Sequence, residues 1–308
     1  MFEHWYVIDP GAYSVKLLDI RGKKRTAIHS CIAYQGEEIV AVSKDAYQYI
    51  YEASHKVRIK PILNHSQMLN PMNPVIRKAF EMLEVEKNIF KPGVIVLTPT
   101  EFSGEQKDIW QNEMFQSGVQ KVVFHNLMEV AALNDSGIVI HAGHSYSEIG
   151  LFFKGKMISH KTIFFAGKQM DEQIQRLVAQ KSQCLISEED ACSLKEKATQ
   201  AFRNKSKDPI QCYGYNRYQQ FVVLNIKPAD IWPAMENVIH QIAMWAKDEL
   251  NKLDGEKKLV IQQGGVYLSG GLAECYGMQS ILSRELHVSC DKISKPSWAM
   301  VERVKGWK

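Results

Sequence analysis

Val7-Ile8-Asp9-Pro10-Gly11-Ala12-Tyr13-Ser14-Val15-Lys16 and Ile138-Val139-Ile140-His141-Ala142-Gly143-His144-Ser145-Tyr146-Ser147-Glu148-Ile149-Gly150 share one plan. Each is an apolar run, a glycine-bearing turn and a second run, which reads as strand, tight turn, strand. The repeat is one of design and not of letters, and it predicts two lobes built on one ancestral pattern. The chemistry of the turns is unequal, because His141 stands where the first turn has Asp9.

Outward from the first turn, apolar alternation predicts strands at 5–9, 14–20, 25–33 and 38–42. Helices are expected over 44–53 and 71–83, the second opened by Asn73-Pro74. Gly93-Val94-Ile95-Val96-Leu97-Thr98 reads as a buried strand, followed by a helix at 105–116, a strand at 119–124 and a helix at 126–133. This alternation implies an α/β fold with a partly parallel sheet and crossover helices. Asn134-Asp135-Ser136-Gly137 is a turn and the expected lobe boundary. Beyond the second turn come strands at 148–153 and 157–165 and helices at 171–179 and 188–203. A polar stretch with short strands at 208–226 reads as inserted, and 228–253 as a long helix whose Ile231, Met235, Val238, Ile239 and Ile242 stripe is core packing. A strand then runs into Leu268-Ser269-Gly270-Gly271, followed by a helix over 274–286.

Bulk properties narrow the function classes. At 308 residues the chain has ample core for two domains, and 45% hydrophobic with 23% charged residues is ordinary for a globular protein. A net charge of +4 and short basic runs such as Lys23-Lys24-Arg25 argue against a nucleic-acid partner. The six cysteines show no CxxC pair and read as reduced, structural thiols of a cytoplasmic protein. Met1-Phe2-Glu3-His4-Trp5 leads straight into a strand, so no leader is expected. No apolar run approaches the roughly 18 residues that a membrane span requires.

Three glycine turns, two in opposite lobes and one near the end, resemble the actin-like ATPase superfamily, and over essentially the whole chain the bacterial actin MreB family. Asp9-Pro10-Gly11 looks like its phosphate-1 loop, His141 to Glu148 occupies the place of its phosphate-2 loop, and Leu268 to Gly271 matches its adenosine motif. Phe90-Lys91-Pro92-Gly93-Val94-Ile95-Val96 is similar to an MreB strand entry, and Cys212-Tyr213-Gly214-Tyr215-Asn216-Arg217 to its small hairpin. The resemblance implies an actin-like, ribonuclease H-like duplicated fold with two lobes around a nucleotide cleft. The first lobe is expected over 1–136 (small subdomain about 29–66) and the second over 137–291 (insert about 182–227), with 292–308 returning to the first. It implies ATP or ADP with Mg2+, contacted by Asp9, Gly11, Ser14, Lys16, Gly143, His144, Ser145, Lys195, Glu196, Gly270 and Gly271. Asp9 would hold Mg2+ through water.

Such a site needs glycines so that amides approach phosphates closely, partly at positive φ, and carboxylates for a hydrated magnesium ion. The second turn departs from the family pattern. His141 replaces an acid, His144 and Ser145 replace two glycines, and Tyr146 replaces a small hydroxyl residue. A different backbone path is therefore expected there. Asn126 stands at the family's catalytic glutamate position; it can orient a water but cannot act as a base. For His141 and His144 three readings stand: ordinary loop histidines, two ligands of a zinc site with no third ligand nearby in sequence, or a rearranged anion site of His144, Ser145 and Lys16.

The resemblance further implies self-assembly (filament or dimer), a peripheral place at the inner face of the cytoplasmic membrane, and wall-synthesis or shape-determining membrane proteins as partners. Ile89 and Phe90, flanked by Lys87 and Lys91, stand at the matching membrane loop, with Phe2 and Trp5 as a second anchor. Three functions remain open: a membrane-associated scaffold with weak or no ATP hydrolysis, an active ATP-hydrolysing filament protein, and a non-polymerising actin-fold adaptor. A sugar kinase fits least, because no sugar-binding aspartate is evident.

Overall fold

The computed structural model describes residues 4–22, 24–50, 56–85 and 90–304. It divides into two compact units, one of Met1–Ala131 with Trp298–Lys308 and one of Ala132–Ser297.

The first unit opens with β1 (Trp5–Pro10), β2 (Ser14–Asp19), β3 (Arg25–His29), β4 (Cys31–Gln35), β5 (Glu38–Val42), β6 (Val57–Pro61), β7 (Leu63–Asn64) and β8 (Gln67–Met68). Then come α1 (Asn73–Met82), β9 (Gly93–Thr98), α2 (Gly104–Gln116), β10 (Lys121–Asn126) and α3 (Leu127–Val130). The main sheet runs β10-β9-β1-β2-β3. β1 is antiparallel to β2 and parallel to β9, which is parallel to β10. The period of two sends Tyr6, Ile8, Val94 and Val96 into a core with Val75, Ile76 and Ala79 of α1 and Trp110 and Met114 of α2. The buried Glu113 carboxylate on α2 accepts hydrogen bonds from the Met72 and Asn73 amides, both at 2.7 Å, and so satisfies donors at the start of α1. The C-terminal helix Ala299–Val304 joins this unit through an Arg25–Glu302 ion pair and an Arg303 bond to the Ala131 carbonyl.

The second unit contains β11 (Gly137–Ala142), β12 (Ser147–Phe153), β13 (Lys156–Ile163), α4 (Gly167–Ser182), β14 (Cys184–Leu185), α5 (Glu188–Arg203), β15 (Ile210–Asn216) and β16 (Phe221–Ile226). It continues with α6 (Pro228–Asn251), α7 (Gly255–Gly264), β17 (Val266–Ser269), α8 (Met278–Leu286) and β18 (Cys290–Lys292). Its main sheet runs β13-β12-β11-β17-β18. Strand for strand this is the order of the first unit, with the same antiparallel hairpins and the same parallel partners. Ile231, Met235, Val238, Ile239 and Ile242 of α6 are all buried in the core beneath that sheet.

Some expected elements differ. The strand expected at 25–33 breaks at Ser30, whose amide and hydroxyl turn back to the Tyr13 and Gly11 carbonyls. The helix expected at 44–53 is a 3-10 helix, Ser43–Tyr49, with 51–55 outside the described residues. The helix expected at 274–286 begins at Met278, after a short 3-10 turn at Gly271–Glu274. α7 was not expected.

Candidate functional site

The two turns close alike. The Gly11 amide donates to the Ser14 carbonyl at 3.1 Å, and the Gly143 amide donates to the Tyr146 carbonyl at 3.0 Å. Neither turn contains a residue at positive φ. His144 and Ser145 therefore take the places of glycines without backbone strain, and the second turn closes in the same way as the first.

What the turns display differs in chemical type. Across the first hairpin Asp9 faces Lys16, and the ammonium donates to Asp9 Oδ2 at 2.8 Å, both side chains about one-seventh exposed (14% and 15%). Across the second, the equivalent register places His141 opposite Glu148. His141 is buried and hydrogen-bonded through Nδ1 with Ser269 Oγ at 3.1 Å. Glu148 is fully buried, 3.7 Å from His160 Nε2. An acid and a cation in one hairpin are answered by an imidazole and an acid in the other. Ser14 begins β2 and is half-buried.

The second turn is fastened to helices of its own unit. The first amides of α4, Gly167 and Lys168, donate to the Gly143 and His144 carbonyls at 3.2 and 2.7 Å. The His144 ring lies 3.8 Å from Asp171 on α4 and 3.3 Å from Glu188, the first residue of α5. A hydrogen bond from His144 holds the Glu188 carboxyl below its ordinary range. Lys195 on α5 turns inward, and its ammonium donates to Asp171 at 2.6 Å. Burial works against the charge on Lys195, but Asp171 more than offsets it and the pKa is raised. Burial raises the Asp171 carboxyl as well, against the pull of Lys195. Glu196, the next residue, points to solvent.

The paired glycines after β17 do different jobs. Gly270 has φ +91 and lies against β11, where an added Cβ would come within 2.2 Å of the Ala142 carbonyl oxygen. Gly271 is exposed, and a Cβ there would meet nothing within 4 Å. Gly270 is thus required by packing, and Gly271 is the one whose face is open to a ligand. Asn126 caps α3, its Oδ1 accepting from the Glu129 amide at 2.8 Å. Phe90 is 57% exposed, while Phe2, Lys87 and Ile89 lie outside the described residues.

The fit to a nucleotide is therefore uneven. In the first unit Asp9 and Lys16 suit a phosphate and a hydrated cation, and in the second unit, taken by itself, Gly271 permits close approach of a ligand. The second turn offers a buried histidine where a carboxylate would be needed; of its nearby acids Asp171 and Glu148 are fully buried, and the exposed Glu188 is engaged by His144. Among the described residues no three His, Cys, Asp or Glu side chains converge as a metal site requires. Burial pushes the thiols of Cys212 and Cys275 up to about 11 and that of Cys290 to about 12, so they are protonated at neutral pH.

Ser30, Asp171, Glu188 and Ser269 are site-building residues that the sequence reading missed. Asp171 carried a signal: an acid on a helical face with Met170, Ile174 and Val178 needs a buried cation.

Two sheets of identical order, each with a glycine turn after its central strand, define an actin-fold protein, and comparison with solved structures agrees. MreB5 of Spiroplasma citri bound to ADP superposes with a TM-score of 0.86 at 16% identity, covering 100% of this chain and 96% of that one. Its AMPPNP-bound form gives 0.87 at 16% identity with the same coverage. A MamK double helical filament gives 0.75 at 15% identity, covering 97% and 96%. The MreB/Mbl protein family model matches residues 25–306, and the chain belongs to that family. It is 21% identical over 302 residues to the cell shape-determining protein Mbl of Bacillus subtilis, covering 94% of this chain and 90% of that protein. Against the Mbl of Bacillus cereus it is 22% identical over 215 residues, and the match spans 67% of this chain and 65% of that relative, just under two thirds. The protein is a bacterial actin-like cytoskeletal protein.

Proposed function

We propose that this chain is a filament-forming, membrane-associated scaffold in cell-shape or cell-wall organisation, one that binds adenine nucleotide and hydrolyses it weakly or not at all. The observation that carries the reading is the inequality of two otherwise matching turns. Asp9 and Lys16 keep an acid and a cation in one hairpin, whereas His141 is buried against Ser269 in the other. Hydrolysis needs charge neutralisation and a positioned water. His141 is a poor partner for hydrated magnesium, and the Asn126 side-chain oxygen is engaged in a helix cap. Nucleotide binding is supported by relatives of this fold crystallised with ADP and AMPPNP, and self-assembly by the MamK filament. The subdomains near 29–66 and 182–227 and the C-terminal return are part of the same reading.

Membrane association is supported by the exposed Phe90 beside the exposed Lys91. No helix among the described residues is long and apolar enough to cross a membrane. One apolar side chain adsorbs weakly, so binding would draw on the avidity of a polymer.

The test is an isotherm with ATP and Mg2+, with Asp9→Ala as control, alongside phosphate release. Binding that Asp9→Ala abolishes, with negligible release, is expected. Rapid phosphate release under polymerising conditions would overturn the weak-hydrolysis reading, and no binding by either protein would overturn the nucleotide reading. Pelleting with and without anionic liposomes tests the scaffold: Phe90→Ser should lower the liposome-dependent fraction, and failure to pellet in either condition contradicts assembly.

A further inference from the structure

β16 ends the small sheet, whose order is β14-β15-β16. Its sequence, Phe221-Val222-Val223-Leu224-Asn225-Ile226, contains no charge and no proline, and its pairing with β15 has no bulge. Exposed edges of this kind invite pairing with another strand, and proteins normally guard them with charge, proline or irregularity. The other longer sheet ends follow that rule, whereas β7, β8 and β14 are two-residue strands too short to offer an extended edge. Among the described residues, every other end strand of three residues or more carries charge: Arg25 on β3, Lys121 on β10, Lys156 and Lys161 on β13, Lys292 on β18, Glu38 on β5, and Arg58 and Lys60 on β6. Among end strands of that length, β16 alone carries none.

The register shows which groups face outward. The Asn216 amide donates to the Gln220 carbonyl at 3.0 Å, so this is a hydrogen-bonded pair. Antiparallel pairs alternate between bonded and non-bonded types. Gly214↔Val222 and Cys212↔Leu224 are therefore bonded pairs, whereas Tyr213↔Val223 and Gln211↔Asn225 are not. It follows that Val223 and Asn225 turn their N–H and C=O groups away from β15, to the open edge. Val223 is 52% exposed, and Asn225 is exposed too.

We infer that β16 is a self-association edge through which two copies of this chain pair antiparallel about a two-fold axis at Val223. The sequence is self-complementary in that register. Val223 meets its own counterpart, Phe221 meets Asn225, and Lys227 meets Gln219, so no like charges are opposed. A second copy with the same row of donors and acceptors satisfies both edges at once, as an isologous interface requires. The two small sheets would become one of six strands, with Tyr213 and Phe221, already stacked at 5.6 Å between centroids, flanking the join. This contact is additional to any filament interface.

Cysteine at the axis tests the geometry. In a bonded antiparallel pair the Cα atoms are about 5.5 Å apart, within the roughly 4.4–6.8 Å that a disulfide spans. Val223→Cys should give a disulfide-linked dimer under mild oxidation, above the background of the wild type, whose cysteines are buried except for the half-buried Cys290. Asn225→Cys should not, because its two copies would lie four residues apart in register, roughly 13 Å. Val223→Pro removes an amide that β15 does not use, so the fold should persist, as read by circular dichroism. Sedimentation should show loss of the concentration-dependent dimer in that variant and in Val223→Lys, which sets two ammonium groups on the axis.

No cross-link at Val223 above background, equal cross-linking at Asn225, or undiminished dimer in the proline and lysine variants would each overturn the inference. Pelleting of the same samples separates it from the filament reading. Polymer without the cross-link sinks this inference alone. Cross-link without polymer supports it and counts against the filament.

Discussion

Gly270→Ala and Gly271→Ala make a matched pair, one methyl group each on neighbouring residues, with opposite expected outcomes. Gly270 has φ +91 and ψ 167, a region that residues other than glycine enter at a cost of about 1–3 kcal/mol. Its Cβ would also lie 2.2, 2.6 and 2.9 Å from the O, C and N of Ala142, backbone atoms of a central strand that cannot rotate aside. Overpacking of this kind costs about 1–3 kcal/mol more. Taking about 4 kcal/mol, and about 2–4 °C per kcal/mol for a unit of about 150–250 residues, the melting midpoint should fall by roughly 8–16 °C. Gly271→Ala meets nothing within 4 Å and needs no positive φ, so it should stay within about 0.5 kcal/mol of wild type. The assay is thermal and urea unfolding without nucleotide, followed by a nucleotide titration of whatever remains folded. If the nucleotide reading holds, Gly271→Ala loses ligand-induced stabilisation while its unliganded midpoint stays put. A Gly270→Ala protein that melts with the wild type refutes the packing argument. A Gly271→Ala protein that falls equally far refutes the division of labour between the two glycines.

Three further outcomes are expected. Lys195→Met strands the buried Asp171 carboxylate and should cost about 3–5 kcal/mol in urea unfolding, whereas Lys195→Met with Asp171→Leu should recover part of that loss; equal losses would show that the ion pair is not the cause. Glu188 has a carboxyl held below its ordinary value of 4.5 by His144, so its contribution is present above that value and is lost as pH falls through the lower folded-state value. Glu188→Gln should therefore flatten the acid limb of the stability profile, and an unchanged limb would deny the contact. Ser30→Ala removes the hydroxyl that donates to the Gly11 carbonyl and should cost about 1 kcal/mol, with no loss counting against its role in bracing the first turn.

Much of the frame was legible in the sequence because apolar period and turn chemistry agree there. Gly93–Thr98 and Glu188–Arg203 have the bounds that their patterns suggest. α7 was hidden because a glycine stands at each end of Gly255–Gly264 and only Ile261 is buried, so no stripe betrays it. A helix-start signal did exist, since Asp254 caps the Lys257 amide. The break at Ser30 was invisible for another reason: it is set by bonds to Tyr13 and Gly11, which are distant in sequence. In the second turn, residue types showed His141 at the acid's place but not its burial against Ser269. The fastening of His144 between Asp171 and Glu188 depends on how α4 and α5 pack, which no local pattern records.

The closure of both turns by one glycine amide and a carbonyl three residues on has a consequence for how such a protein changes over time. Because neither loop depends on a left-handed residue, its shape is insulated from the side chains it carries. A lineage can trade an aspartate for a histidine by point substitution without first repairing the backbone. The same insulation means that an acid can be placed at His141 in the laboratory by a single substitution, with the untouched hairpin of the same chain serving as the internal standard.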